Sequence, residues 1–88
     1  MGTDKRRERL RFRSWHRGTR EMDLLLGGFA DAYLPAFTPE QLDRYEAILL
    51  QSDPDLYNWI TGADPLPAEQ DNDVMRLLSV FCPGKEIV

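Results

Sequence analysis

Apolar residues recur at helical spacing in four segments of this 88-residue chain. The clearest segment follows the i, i+3, i+4, i+7 pattern of a single helix face. Its apolar positions are Met22, Leu25, Leu26, Phe29, Ala30 and Tyr33. Thr19 suits the N-cap of this helix, and Pro35 predicts its end. Gly27 and Gly28 each destabilise a helix interior by about 1 kcal/mol relative to Ala, so they predict a close contact with a neighbouring helix.

A second helix is predicted after Thr38. Thr38 is a favourable N-cap residue, Pro39 suits the first helical position, and Gln41 completes a capping box three residues after the cap. The apolar face of this helix comprises Leu42, Tyr45, Ile48 and Leu49. The segment therefore has a defined start and a face that can pack on a core.

A short third helix is predicted from Asp53. An Asp in the N-cap position followed by Pro54 is typical of a helix start, and Gly62 predicts the end of the helix. The apolar side of this segment comprises Leu56, Trp59 and Ile60. A proline-containing loop over residues 62–69 follows, which separates this helix from the next one.

The last apolar segment predicts a helix that begins near Asp71 or Asn72. Its apolar positions are Val74, Leu77, Leu78 and Phe81. Pro83 and Gly84 predict its end, because proline and glycine both interrupt helices. Residues 85–88 are predicted to form a flexible tail.

The N-terminal segment gives an ambiguous pattern. Residues 9–13 alternate between basic and other side chains with period two, which on its own predicts a strand. No other segment alternates in this way, so a strand here would have no partner. We therefore predict a helix over residues 4–15, with Phe12 and Trp15 one turn apart. The fold is then expected to be all-α, a compact bundle of five short helices in a single domain over residues 1–88.

Charge is distributed unevenly along the chain, although the net charge is only −4. Residues 1–20 contain eight basic and two acidic residues, whereas the remainder contains three basic and thirteen acidic residues. A positive end joined to a negative body orients a protein toward a charged partner. A solvated basic tail would give the same composition, so both interpretations stay open at this stage.

Few residues are available for catalysis or for metal binding. His16 is the only histidine and Cys82 the only cysteine, so the chain lacks a zinc ligand set and has no nucleophile placed beside the histidine. Gly27 and Gly28 lie within a predicted apolar helix, so they do not form a nucleotide-binding loop. We therefore expect the protein not to be an enzyme, and we expect no metal site and no tightly bound cofactor.

Composition also bears on the compartment. A single cysteine excludes an internal disulfide and favours a reducing compartment, for which the cytoplasm is the default. The longest apolar stretch, residues 24–30, is far shorter than the ~20 residues of a membrane helix, so no membrane insertion is expected. The basic N-terminus lacks the apolar core of a secretory signal, and Asp4 and Glu8 argue against a mitochondrial presequence. We expect the chain to be mature from its first residue.

Arg17, Gly18 and Glu21 lie at the junction between the basic segment and the first strongly apolar helix. Gly18 permits a tight turn or the close approach of a partner's backbone, and Arg17 and Glu21 have the spacing of one helix face. Judged on these residues alone, an ordinary helix start is favoured, because glycine before Thr19 and an acidic residue in the first turn suit any helix N-terminus.

The string Arg17-Gly18-Thr19-Arg20-Glu21 resembles the R-G-x-x-E motif of the succinate dehydrogenase assembly factors that promote covalent attachment of FAD to the flavoprotein subunit. Further strings are similar to the same family in order and spacing. They are Arg13-Ser14-Trp15-His16, Met22-Asp23-Leu24-Leu25-Leu26 and Asp53-Pro54-Asp55-Leu56-Tyr57-Asn58-Trp59. The resemblance covers nearly the whole chain and implies a compact five-helix bundle. The expected lack of a presequence makes the chain look like a bacterial member of the family.

The resemblance implies that the protein binds the immature flavoprotein subunit of succinate dehydrogenase, with the fumarate reductase flavoprotein as a second expected client. It implies a contact surface formed by Arg17, Gly18 and Glu21 and flanked by further polar residues. The flanking residues are His16, Arg20, Asp23, Arg11 and Arg13. In the family, a histidine of the flavoprotein attacks the isoalloxazine methyl carbon, and the factor holds that subunit in a competent arrangement. FAD is therefore attached to the client and is not a cofactor of this chain.

A small nucleic-acid-binding protein is the alternative function, with the arginine-rich residues 6–20 tracking phosphates. The acidic remainder of the chain, the sequence pI of about 4.8 and the lack of a recognition motif argue against it. We therefore expect no nucleic-acid partner.

Overall fold

The computed structural model describes residues 2–81, in which five α-helices follow one another and no strand occurs. Their bounds are α1 (Gly2–Trp15), α2 (Arg20–Tyr33), α3 (Pro39–Leu49), α4 (Asp53–Thr61) and α5 (Asp73–Phe81). Short 3-10 turns follow α2 at Leu34–Ala36 and precede α5 at Ala68–Gln70. The all-α prediction is confirmed, and the segment with period-two alternation is helical. The predicted helix end at Pro83 and Gly84 and the predicted flexible tail lie outside the described residues.

Local capping chemistry accounts for most of the helix starts. The hydroxyl of Thr19 accepts the Met22 N–H at 3.3 Å at the start of α2. At the start of α3, Thr38 and Gln41 form both hydrogen bonds of a capping box, at 3.2 and 3.0 Å. Gly62 ends α4 in the left-handed conformation, with φ of 83°. These starts and stops agree with the predictions from the sequence.

The predicted N-cap of α4 is wrong by one residue. Ser52 is the cap, because its hydroxyl accepts the Asp55 N–H at 3.3 Å. Asp53 is the first residue of the helix, and its carboxylate pairs with the distant Arg17. Ser and Asp are both favourable N-cap residues, so local sequence could not distinguish them. The Asp53 carboxylate is bound by Arg17 and does not cap the helix.

Phe29 of α2 lies at the centre of a single hydrophobic core and is fully buried. Its ring contacts four other aromatic rings at centroid distances between 4.7 and 6.0 Å. They are Tyr33, Phe37, Tyr45 and Phe81. Burial of one such side chain stabilises the fold by about 1.5 to 3 kcal/mol. The apolar face predicted for α3 is buried in the same core.

One polar group is buried within this core and joins three helices. Ser14 of α1 is fully buried, and its hydroxyl donates to the Leu10 carbonyl at 2.7 Å. The Tyr45 hydroxyl of α3 lies 2.5 Å from the Ser14 hydroxyl and 3.3 Å from the Leu26 carbonyl of α2. Burial raises the pKa of the Tyr45 phenol well above its ordinary value, so the phenol stays protonated and donates. Because Ser14 donates to Leu10, the single Tyr45 proton is shared between the Ser14 oxygen and the Leu26 carbonyl, and this polar contact adds to the packing of the three helices.

The close helix contact predicted from Gly27 and Gly28 is confirmed, and the two glycines have different neighbours. Gly27 faces the Trp15 indole, and a Cβ at this position would overlap the ring. Gly28 faces the Phe81 ring, which a Cβ would meet at 3.6 Å, an ordinary van der Waals distance. Gly27 therefore sets how closely α1 and α2 approach each other.

We predict opposite effects for alanine at these adjacent positions. Gly27→Ala should destabilise the fold by about 1 to 3 kcal/mol, because the new methyl group displaces the Trp15 ring. Gly28→Ala should be neutral or stabilise it by up to about 1 kcal/mol, because the helix gains propensity without overlap. Urea denaturation followed by circular dichroism measures both. Equal effects of the two substitutions would contradict this contact.

Candidate functional site

Residues 16–19 connect α1 to α2 and form a turn that is fixed from within. The Asp23 carboxylate accepts the backbone N–H groups of Arg17 and Gly18 at 2.6 and 3.3 Å. Gly18 has φ of 113°, a conformation that side chains with a Cβ rarely adopt. A Cβ at Gly18 would nevertheless meet no atom within 4 Å. The requirement for glycine is therefore conformational, and the space above Gly18 is open to a partner.

The guanidinium of Arg17 is directed inward, toward the junction of α3 and α4. It donates to the carbonyl of Leu49 at 2.5 Å, to the carbonyl of Gln51 at 2.8 Å and to the carboxylate of Asp53 at 2.8 Å. Only 13% of the Arg17 side chain and 22% of the Asp53 side chain are exposed. Arg17 thus supplies a positive charge to the carbonyls at the end of α3 and pairs with the first residue of α4.

This geometry corrects the suggestion that Arg17 and Glu21 share a helix face. Arg17 precedes α2, and its guanidinium is held by Asp53, which lies 36 positions further along the chain. The arginine therefore fixes the turn onto the α3–α4 junction, and little of its charge remains for a partner. Gly18, the next residue, is exposed.

Glu21 lies in the first turn of α2 and is exposed. Within residues 2–81 its carboxylate makes neither a hydrogen bond nor an ion pair. Arg20, beside it, is exposed as well. A carboxylate near a helix N-terminus is stabilised by the helix dipole and stays available to accept a charge-assisted hydrogen bond from another molecule. Glu21 is therefore the part of the motif with unused binding capacity.

A shallow depression lies over the turn and brings several predicted site residues together. It is lined by Trp15, His16, Gly18, Thr19, Arg20, Asp23 and Leu24. Four of the predicted site residues are in this group, and Glu21 is next to Arg20 in the chain. The depression is open and mixes polar with apolar lining, which suits contact with a protein surface better than enclosure of a small molecule.

The other two predicted residues lie on α1, away from this depression. Arg11 pairs with Asp31 of α2. Arg13 lies 3.6 Å from Glu46 of α3 and lines a neighbouring depression with His16 and Arg17. Arg13 is therefore contiguous with the turn, whereas Arg11 is not brought together with the motif.

Several arginines of the basic N-terminal segment are bound within the same molecule. Arg6 pairs with Asp43 and Glu46 of α3. Arg7 donates to the carbonyl of Leu34, which follows α2, and to that of Phe37 beyond the 3-10 turn. The segment is thus a packed helix and not a solvated tail. This use of its arginines leaves the nucleic-acid alternative without support, because fewer cations remain to track phosphates.

Two residues important for the site were not predicted from the sequence. The sequence predicts Asp53 to be a helix cap, and no residue near it in the chain indicates that it pairs with Arg17. The one indication of this pairing is that the R-G-x-x-E string and the D-P-D-L-x-x-W string of residues 53–59 occur together in the family. Trp15 was recognised only as part of a string, although its Nε1 lies 3.3 Å from Asp31 and its ring packs on Gly27.

Two further findings concern the described residues. No group of three or more His, Cys, Asp or Glu side chains is placed to hold a metal ion within residues 2–81. In the same range, none of the helices combines the length and the apolar composition needed to cross a membrane.

The fold and the site together define a small helical-bundle protein whose candidate site is an exposed turn and helix start, fixed from inside and open to a macromolecular partner. The chain belongs to the family described as the flavinator of succinate dehydrogenase, whose profile matches residues 8–82. The family resemblance read from the R-G-x-x-E and D-P-D-L-x-x-W strings is therefore confirmed.

Individual relatives agree with this membership. The chain is 46% identical over 71 residues to the FAD assembly factor SdhE of Acetobacter pasteurianus, a match that covers 81% of this chain and 65% of that protein. It is 41% identical over 87 residues to the mitochondrial succinate dehydrogenase assembly factor 2 of Candida glabrata, covering 94% and 57%. The corresponding protein of Dictyostelium discoideum is 39% identical over 79 residues, covering 90% and 56%. The matches thus span between about half and two thirds of the length of these relatives.

We predict that Arg17 acts on stability. Arg17→Ala should destabilise the isolated protein by roughly 2 to 4 kcal/mol, because it leaves the Asp53 carboxylate and two helix-end carbonyls without their donor. Arg17→Lys should recover only part of this loss, since an ammonium cannot reproduce the planar guanidinium fork. Urea denaturation measures both variants.

Arg20→Ala is the matched control for this experiment. Arg20 is an exposed arginine three residues away, so its removal should change the free energy of unfolding by less than about 0.5 kcal/mol. Equal stabilities of the Arg17→Ala variant and the wild-type protein would show that the guanidinium is not an internal clamp.

Proposed function

We propose that this protein binds the flavoprotein subunit of succinate dehydrogenase and promotes the covalent attachment of FAD to it. Membership of the flavinator family and the names of the relatives support this role. The observation that carries the proposal is the exposed Glu21 carboxylate in the first turn of α2, which follows a Gly18-containing turn whose geometry is fixed by Asp23 and Arg17. A preorganised polar group at the surface binds a partner without first losing conformational freedom.

The motif residues divide their roles in this proposal. Glu21 accepts a hydrogen bond from a donor on the flavoprotein, and Gly18 lets the partner's backbone approach because no side chain stands over the turn. Arg17 supports binding indirectly, because its guanidinium holds the turn against the junction of α3 and α4. Arg20 and His16 flank the contact. Asp23 fixes the turn and Arg13 extends the surface, whereas Arg11 lies apart from the contact and pairs with Asp31.

The protein is proposed to act as a chaperone and to carry out no bond-forming step itself. Bond formation between a flavoprotein histidine and the isoalloxazine methyl carbon would be the client's own chemistry, and this protein stabilises the conformer in which the two groups meet. Binding shifts a conformational equilibrium only by the difference in affinity for the two conformers. A shift from 1% to 99% of the competent conformer requires about a 10⁴-fold preference. FAD is accordingly carried by the client.

Two narrower expectations belong to the same proposal. The fumarate reductase flavoprotein is a second client, which can be tested with the same assay. The cytoplasm is the expected location, and the names of the eukaryotic relatives place those proteins in mitochondria.

We predict that Glu21→Ala abolishes binding of the flavoprotein subunit without unfolding the protein. Loss of one partner from a buried polar pair weakens binding by about 2 to 5 kcal/mol, which is well over tenfold in affinity. The helical circular dichroism should be unchanged, because Glu21 is exposed and makes no contact within the described residues. Calorimetric titration of the flavoprotein subunit measures the affinity, and flavin fluorescence of the denatured subunit measures covalent attachment.

Glu40→Ala provides a matched control. Glu40 is an exposed glutamate in the first turn of α3. Its removal therefore loses the same small stabilisation by the helix dipole as removal of Glu21, but at a position away from the motif. This variant should bind and promote flavin attachment like the wild-type protein. If wild type itself neither binds the subunit nor raises the covalent flavin signal, the proposed function is wrong. If Glu21→Ala unfolds the protein, Glu21 has a structural role instead.

A further inference from the structure

The outward face of α1 presents an aromatic ring to solvent. Phe12 is 63% exposed, although phenylalanine is among the side chains most often buried in folded proteins. Its ring stacks on the imidazole of His16, with a centroid distance of 4.0 Å and an interplanar angle of 19°. His16 Nδ1 lies 2.7 Å from the Phe12 carbonyl oxygen, so this nitrogen carries the proton and donates. The two rings therefore form a fixed apolar platform on the surface.

The charges around this platform differ from those on the rest of α1. Arg6, Arg7 and Arg11 are bound to carboxylates or carbonyls of the same molecule. Lys5 and Arg9, two turns and one turn before Phe12, are exposed and make no ion pair or side-chain hydrogen bond within residues 2–81. Arg13 has only the 3.6 Å contact with Glu46, and Glu8 is the one carboxylate on this face. The outward face thus keeps positive charge that the rest of the helix does not.

This face is continuous with the turn described above. One shallow groove beside Phe12 is lined by Lys5, Glu8, Arg9 and Arg13. A second groove on the other side of the ring is lined by Arg13, His16 and Arg17. Because the two grooves share Phe12 and Arg13, the platform leads directly from the outward face of α1 to the first residues of the turn.

We propose that the outward face of α1 is a second docking surface for the flavoprotein. The surface is centred on Phe12 and His16 and bordered by Lys5, Arg9 and Arg13. It takes an acidic segment of the flavoprotein, with an apolar side chain placed against the Phe12 ring. The proposal rests on the function proposed above. Aromatic side chains and arginine are enriched at protein interfaces relative to the rest of the surface. Unpaired cations select an acidic surface and accelerate its approach.

The same partner is the favoured occupant because the face adjoins the turn that leads into α2 and Glu21. A molecule that contacts Glu21 and Gly18 also passes over His16, which takes part in both surfaces. An anionic lipid surface fits the pattern less well, because the face holds Glu8 among its three cations and a single exposed ring, too little apolar surface for a helix that lies in a membrane interface.

The test is the affinity of two variants of the full chain for the flavoprotein subunit. Phe12→Ala should weaken binding about tenfold or more, and Arg9→Glu should weaken it at least about threefold and reduce its dependence on salt. Both variants should retain the wild-type circular dichroism and stability, because the two side chains are exposed. Val80→Ala and Arg76→Glu are the matched controls, because they truncate an exposed apolar side chain and reverse an exposed charge on α5. Each control should change the affinity for the subunit by less than about twofold.

The outcomes separate this inference from the proposed function. If Glu21→Ala loses binding while Phe12→Ala and Arg9→Glu bind like wild type, the second surface is refuted and the proposed function stands. If the wild-type protein does not bind the subunit, both fail. If the wild-type protein binds vesicles containing anionic lipid, Phe12→Ala does not, and both bind the subunit with the same affinity, the occupant is a membrane surface and the inference is overturned. Self-association that Phe12→Ala abolishes would overturn it in favour of a second copy of the chain.

Discussion

The contact between the Arg17 guanidinium and the α3–α4 junction is the interaction on which the site depends. Three hydrogen bonds reach from the α1–α2 turn to the carbonyl of Leu49 at the end of α3, the carbonyl of Gln51 after it and the first carboxylate of α4. Without this donor, two carbonyls and one carboxylate would lose their partner at a partly buried position. The turn would then lose the support that holds Gly18 and Glu21 in position at the surface. A side chain that is directed inward can thus support the binding surface by holding the turn in place.

The same principle extends to the rest of the basic segment. Arg7 at the end of α2 and Arg17 at the end of α3 each place a guanidinium on helix carbonyls, where positive charge is favoured. The acidic body supplies carboxylates for Arg6 and Arg11. The uneven charge of the chain is therefore mainly an internal feature of folding, and what remains exposed is confined to one face of α1 and to the turn.

Sequence reasoning recovered the features that depend on near neighbours along the chain. Helical periodicity, the capping box at Thr38 and the left-handed Gly62 are all determined within a few residues, and each was predicted correctly. The glycine pair indicated a helix contact, but the identity of the Trp15 ring needed the three-dimensional arrangement. The pairing of Arg17 with Asp53 joins positions 36 residues apart, and no local pattern encodes it. For the same reason, the motif could be recognised while the inward direction of its arginine could not.

The central claim is that Arg17 works inside the protein and is coupled to Asp53. The most direct test is a double-mutant cycle of Arg17→Ala and Asp53→Ala, measured by urea denaturation of the isolated protein without any partner. The account predicts a coupling free energy of at least about 1 kcal/mol, because each side chain loses its partner when the other is removed. Effects on unfolding that add within about 0.3 to 0.5 kcal/mol would contradict it, since the two residues would then contribute independently.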